Sequence, residues 1–387
     1  MNLTREGVYH VFKEEFLLFI CIFKRLIIFP NELIYYIFSL YENIILPKIS
    51  IEIDETYSFI FNNNCYSCAY QCYKKPPYQI FKEGFNEQRN DFPIEKIVSI
   101  CYYYHRKYII SNKHIYNHDH FFGFDKSYAI PTSLLGCNIS TRFGENYMLI
   151  HTTDGLYVHG CHNKYGQLGL GDKREYSVDK GDWIYDFKKI QINNVLMYDC
   201  GDKHTFILTQ NGDLFCCGSN KYGQLGLYEI KFKQKILYKH HMTDIITFSC
   251  GSRHTFILTL DGLFSSGDNR HCQLGRTVQG YDVNYYFHQI DIENTLSFSC
   301  GSTTSLIMTI SGLFLTDQKF MDGRCILTKI DLFVTKIILF KCGFKESIII
   351  TKDGVYTLIH NKIELPYTKK FILFDEDLWS QKARLFY

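Results

Sequence analysis

The chain has little of what builds long helices. Alanine is scarce, and only seven prolines stand beside 26 glycines in 387 residues, so turns fall mainly to Gly, Asn and Asp. Tyr (30) and Phe (32) supply nearly all of a 17% aromatic content, which favours strands over Ala/Leu-rich helices. Neither sign of charge dominates. Forty-two basic and 40 acidic residues leave a net +2, which announces no nucleic-acid-binding surface. Long apolar runs are also missing. The run 16–23 is short, Glu14 and Glu15 precede it where a secretory signal wants positive charge, and Lys24-Arg25 end it. A signal peptide and a membrane span are therefore not expected. No P-loop, dinucleotide fingerprint, nucleophile elbow or paired-carboxylate signature occurs, and no cofactor is called for.

Cysteine is plentiful, at 15 residues, but its placement argues against a disulfide framework. Cys200, Cys250, Cys300 and Cys342 each stand directly before a glycine at one point of a repeat. Such residues read as small buried apolar side chains in a reducing, intracellular setting, cytoplasmic or nuclear. Cys65, Cys68 and Cys72, with His105 or His118 and His120, suggest zinc only superficially. A second ligand pair at a matching interval is missing, and Cys65 and Cys68 fall in an expected strand where they pair poorly.

The repeat is clearest at 200–227, CGDKHTFILTQNGDLFCCGSNKYGQLGL. Two apolar, β-prone runs flank Asn211-Gly212, a dipeptide suited to a tight hairpin, and closely spaced glycines then reverse the chain. One frame, a glycine followed eleven residues later by a turn glycine, fits five times. The pairs are Gly144/Gly155, Gly201/Gly212, Gly251/Gly262, Gly301/Gly312 and Gly343/Gly354. Two looser copies lie upstream, with frame positions at Asp54 and Tyr102, and the total is seven units. Periods of this length mean a propeller or a solenoid. His204 and His254 recur at one position, whereas catalysis wants a single asymmetric constellation, so a structural ring-to-backbone bond is expected for each. The stretch 231–241, with Lys231, Lys233, Lys235 and Lys239, reads as a strand with one charged, solvated face.

Residues 1–50 lack this alternation. After Pro30, Leu33, Ile34, Ile37, Phe38 and Tyr41 share one face of an amphipathic helix, and 11–28 could form another. Residues 29–40 resemble the opening of an F-box, Leu-Pro-x-Glu-hydrophobic, which binds the ubiquitin-ligase adaptor Skp1. That resemblance would give the adaptor contact to Pro30, Leu33, Ile37 and Phe38. It covers about twelve residues and lacks the Trp often found in an F-box.

Cys-Gly-x-x-His-Thr, an Asp/Asn-Gly hairpin and then Gly-x-Asn-x-x-Gly-Gln-Leu-Gly together resemble the RCC1 (regulator of chromosome condensation) repeat. Residues 160–171 and 218–226 carry the last motif; 267–275 carries it with Cys272 in place of a glycine, and the final two repeats lack it. The resemblance implies an all-β, seven-bladed RCC1-like propeller of four-stranded blades over 51–375, most regular at 144–310. A short helical segment would precede it and a tail, 376–387, would follow. Phe371-Ile372-Leu373-Phe374 is expected to pair with the blade containing 51–61 and close the ring. In function, a monomeric, non-enzymatic interaction scaffold is expected, acting as a substrate adaptor for a Skp1-type ligase. The alternative implied by the resemblance is a guanine-nucleotide exchange factor for a Ran-like GTPase.

Overall fold

The computed structural model describes strand backbone at intervals between residues 49 and 129, and backbone with most side chains over 140–321, with gaps at 172–183, 228–231 and 277–283 among others. Parts of 324–371 are also described. The expected helical segment, the C-terminal tail and Pro30, Leu33, Ile37 and Phe38 lie outside the described residues.

All regular elements among the described residues are strands, and they fall into seven antiparallel sheets. The first has three strands: β1 (Ile49–Ile53), β2 (Thr56–Phe61) and β3 (Asn64–Ala69). The second comprises β4 (Ile97–Tyr103), β5 (Arg106–Ser111), β6 (His114–Asp119) and β7 (Gly123–Ala129). The third comprises β8 (Ser140–Gly144), β9 (Tyr147–Thr152), β10 (Gly155–Gly160) and β11 (Ile184–Lys189). β12 (Val195–Cys200), β13 (His204–Thr209), β14 (Leu214–Ser219) and β15 (Lys233–Lys239) make the fourth. The fifth is β16 (Ile245–Cys250), β17 (His254–Thr259), β18 (Gly262–Gly267) and β19 (Asn284–Gln289). The sixth is β20 (Thr295–Cys300), β21 (Ser305–Thr309), β22 (Gly312–Met321) and β23 (Arg324–Ile330). The seventh is β24 (Ile337–Cys342), β25 (Glu346–Thr351), β26 (Gly354–Ile359) and β27 (Lys369–Phe371).

Each sheet is a meander in chain order, so its first strand lies at one edge and its last at the other. The first strands β1, β4, β8, β12, β16, β20 and β24 each adjoin the next, and β24 returns to β1. The ring therefore meets itself by packing. The expected pairing of 371–374 with 51–61 is corrected at Phe371, because β27 pairs with β26, Val355 opposite Phe371, while 372–374 lie outside the described residues. A short strand that follows β26 in sequence reaches that open edge by a local connection, whereas pairing across the ring requires a non-local one.

The hydrophobic core lies between sheets. Phe206, Leu208, Leu214 and Cys216 of the fourth sheet pack with Ile245, Phe248, Cys250 and Ile257 of the fifth, around Leu225 and Leu227 of the intervening loop. Phe206 is fully buried, its ring 6.0 Å from that of Phe248. The period-2 pattern explains why: β13 is covered on both faces and, after His204, is apolar or threonine throughout, while β12 mixes buried and half-buried positions, alternating after the register shift at 195–197.

Candidate functional site

The repeat places its polar residues at the end of the sheets where each first strand turns into the second, and there they tie one sheet to the next. A β-carbon at Gly201 would lie 2.1 Å from the carbonyl oxygen of Gly251 and 2.2 Å from His204 Cε1; Gly251 meets Gly301 O and His254 in the same way. These glycines are required by close approach. The second glycine answers a different need in four of the five frames, positive φ at the hairpin: +136° at Gly155, +82° at Gly212, +138° at Gly262 and +155° at Gly312. The residues after the first glycines form a ladder from sheet to sheet. Glu145 N donates to Asp202 O (2.7 Å), Asp202 N to Ser252 O (3.2 Å), Ser252 N to Gly301 O (3.0 Å) and Ser302 N to Gly343 O (3.2 Å).

Histidine completes two of these junctions. Thr255 Oγ1 donates to the Gln224 carbonyl (2.8 Å), so its oxygen accepts from His204 Nε2 (3.0 Å), and the proton of His204 sits on Nε2. His254 Nε2 reaches Ser305 Oγ (2.8 Å), which donates to Gln273 O (3.0 Å). At the preceding junction Tyr147 holds the histidine's place: its hydroxyl donates to His204 O (2.8 Å) and lies 3.1 Å from Thr205 Oγ1, which donates to Gln167 O (2.7 Å). The expected ring-to-backbone bond is therefore corrected for His204 and His254, whose partners are hydroxyls of the next sheet. Nδ1 of each ring has no partner among the described residues. Burial drives the pKa of His204 down to about 3 and that of His254 to about 4, so both rings are neutral near pH 7.

The Gly-Gln-Leu-Gly loops are braced from within by side-chain acceptors, although Nδ2 of Asn163 and of Asn220 has no partner among the described residues. Asn220 Oδ1 accepts from Leu225 N (3.0 Å) and Gln224 Oε1 from Tyr222 N (2.9 Å); Asn163 with Gln167, and Asn269 with Gln273, repeat the arrangement. Leu168, Leu225 and Leu274 are thereby driven fully into the core. Cys250, Cys300 and Cys342 are buried thiols outside any disulfide, and burial raises the pKa of each. Cys272 differs from these. It holds the turn glycine's positive φ, +59°, and bridges to Cys325 of the sixth sheet.

Sequence reasoning missed two features here. Asp199, Ser249 and Ser299 accept from the backbone N of Cys250, Cys300 and Cys342 in the next sheet, at 2.8, 3.2 and 2.9 Å. A short acceptor before the first three Cys-Gly pairs, replaced by Lys341 before the fourth, was the available signal. The second feature is convergence on Tyr222, whose ring lies 4.9 Å from the Arg253 guanidinium, 5.0 Å from that of Arg270 and 5.5 Å from Lys221 Nζ. The basic stretch 231–241 is also corrected. In β15 Ile236 and Tyr238 are exposed while Leu237 packs inward, because the pairing register shifts between Cys216 and Gly218. That edge is mixed rather than charged along one face. Among the described residues no group of three His, Cys, Asp or Glu is placed to hold a metal ion; the side chains of Cys65, Cys68, Cys72, His105, His118 and His120 lie outside them.

Residues 199–224 match the family described as Regulator of chromosome condensation (RCC1) repeat. The chain is similar to the "Secretion-regulating guanine nucleotide exchange factor" of Bos taurus, 37% identical over 93 residues that make up 24% of this chain and 19% of that protein. It is also similar to the human "Probable E3 ubiquitin-protein ligase HERC4", 33% identical over 95 residues, 24% of this chain and 8% of that one. The matched stretch thus spans less than a fifth of either relative. The solved structure of Prp20p from Saccharomyces cerevisiae, described with its binding to Gsp1p and histones, superposes with a TM-score of 0.61 at 18% identity. The superposition covers 89% of this chain and 87% of that one. The fold is an RCC1-like β-propeller of antiparallel sheets.

Proposed function

We propose that the chain is a non-enzymatic, seven-bladed interaction propeller that presents a bound protein to a Skp1-type ubiquitin ligase through its F-box-like segment. One observation carries the platform reading. At three successive junctions the repeated His or Tyr, Thr or Ser and Gln are spent on bonds between neighbouring sheets, so specificity falls to the loops. The adaptor role rests on residues 29–40, with Pro30, Leu33, Ile37 and Phe38 as the contact. The chain acts as a monomer inside the cell, with 1–50 recruiting and the propeller presenting.

The test is capture of purified Skp1 by the full chain. Retention that is lost in the Leu33→Asp/Ile37→Asp variant, with an unchanged melting curve, is the expected result; no retention by the unaltered protein sinks the adaptor reading. The match to a relative named as a guanine-nucleotide exchange factor favours a second reading, exchange on a Ran-like GTPase. Accelerated release of labelled GDP from Ran would replace the first reading with this one.

A further inference from the structure

Among the described residues, the third, fourth and fifth sheets carry an excess of carboxylates at one end and of cations at the other. At the hairpin end stand the exposed carboxylates Asp154, Asp244, Asp261, Asp291 and Glu293. Lys189 pairs with Asp154 there (3.1 Å), and Lys239 with Asp213 (2.8 Å). At the junction end Lys164-Tyr165 and Lys221-Tyr222 precede loop glycines and Arg270-His271 precede Cys272, and the turns between first and second strands add Lys203 and Arg253. Lys164, Lys221, Arg253 and Arg270 are exposed, and Tyr222 is half-buried between them.

These cations are not equally engaged. Arg270 is fixed by Asp268, whose two carboxylate oxygens lie 2.9 and 3.1 Å from its Nε. Lys203 Nζ pairs with Glu145 at 2.9 Å and lies 5.6 Å from the Tyr165 ring centroid. Arg253 is held by the face of Tyr222 and has no carboxylate within ion-pair distance among the described residues. Asp202 and Asp268 share its charge at longer range, but a guanidinium stacked on a phenol ring without a direct ion-pair partner is held in orientation with its donors available to an arriving carboxylate.

Resting on the reading of the chain as a protein-binding propeller, we propose that this junction end of the third to fifth sheets binds an Asp/Glu-rich segment of a protein partner. Arg253 and Lys221 take its carboxylates, and Tyr222 provides the apolar floor between them. Charge complementarity and spacing favour a peptide over nucleic acid. Glu145, Asp202 and Asp268 sit among the cations and would repel a continuous phosphodiester backbone, whereas acidic side chains can reach Arg253 and Lys221 individually.

The experiment uses the full chain and a fluorescein-labelled Asp/Glu-rich peptide, read by anisotropy at low and high salt. Binding that weakens with salt is expected, as is a loss of about tenfold or more in the Arg253→Ala/Lys221→Ala variant. Arg253→Lys should recover part of the affinity, and Asp261→Ala, at the opposite end, should leave it unchanged. Melting curves of all variants establish that each is folded. Absence of peptide binding, equal binding by the double variant, or tighter binding of single-stranded RNA of matched charge would overturn the proposal. Skp1 capture that persists in the double variant separates failure here from failure of the adaptor reading.

Discussion

His204, His254 and His240 make the protein's stability depend on pH in a definite direction. Burial is the first cause in each, and it holds their folded values at about 3, 4 and 4. The unfolded chain takes up protons on these rings near pH 6.5 while the folded chain refuses them. Their contribution is therefore complete above about pH 6.5. It is lost as pH falls toward 4, by roughly 1.4 kcal/mol per pH unit for each ring. Asp202 opposes this: burial raises its carboxyl to about 6, so its contribution is present at low pH and fades as pH rises through that value. Three rings outweigh one carboxyl, and the urea midpoint should drop between pH 7 and pH 5. His204→Gln should flatten the slope; an unchanged slope would show that the ring is not the titrating group. Thr255→Val should cost about 2 kcal/mol or more in denaturant melts, because it strands both His204 Nε2–H and the Gln224 carbonyl in the interior.

At the scale of elements, the loop after β18 shows how one substitution changes a device. Gly166 and Gly223 take φ of +85° and +81° in their loops, while Cys272 accepts the unfavourable conformation and gains a cross-sheet bond to Cys325, 53 residues away. Cys325→Ser, or treatment of the native protein with a dithiol, should destabilise it by about 2–4 kcal/mol. Melting temperatures indifferent to both treatments would show that the bridge contributes nothing in solution. The strands and turns were legible in the sequence because hairpin and loop residues are dictated locally: Asn211-Gly212 and Gly-Gln-Leu-Gly specify their own backbone. Partners were not legible. His204 meets Thr255, and Tyr222 meets Arg253 and Arg270, only after separate sheets come together, and no local rule couples such positions. The pairing of β27 escaped for the same reason, since Phe371 is as β-prone against one edge as against another.

For the whole molecule, the sheet-to-sheet arrangement makes the seventh sheet's outer strand dispensable to the ring. Deleting 368–387 removes β27 and leaves the β24–β1 packing in place. The truncated chain should keep a single cooperative thermal transition, shifted downward; conversion to an unfolded chain in circular dichroism would show that closure depends on the tail after all.

The amides of Glu145, Asp202, Ser252 and Ser302 are each held by a carbonyl of the neighbouring sheet. Fraying within a single sheet does not release them; two sheets must part. In heavy water these four protons report the lifetime of the intact circle, a timescale that the hairpin tips, free to exchange on their own, do not record.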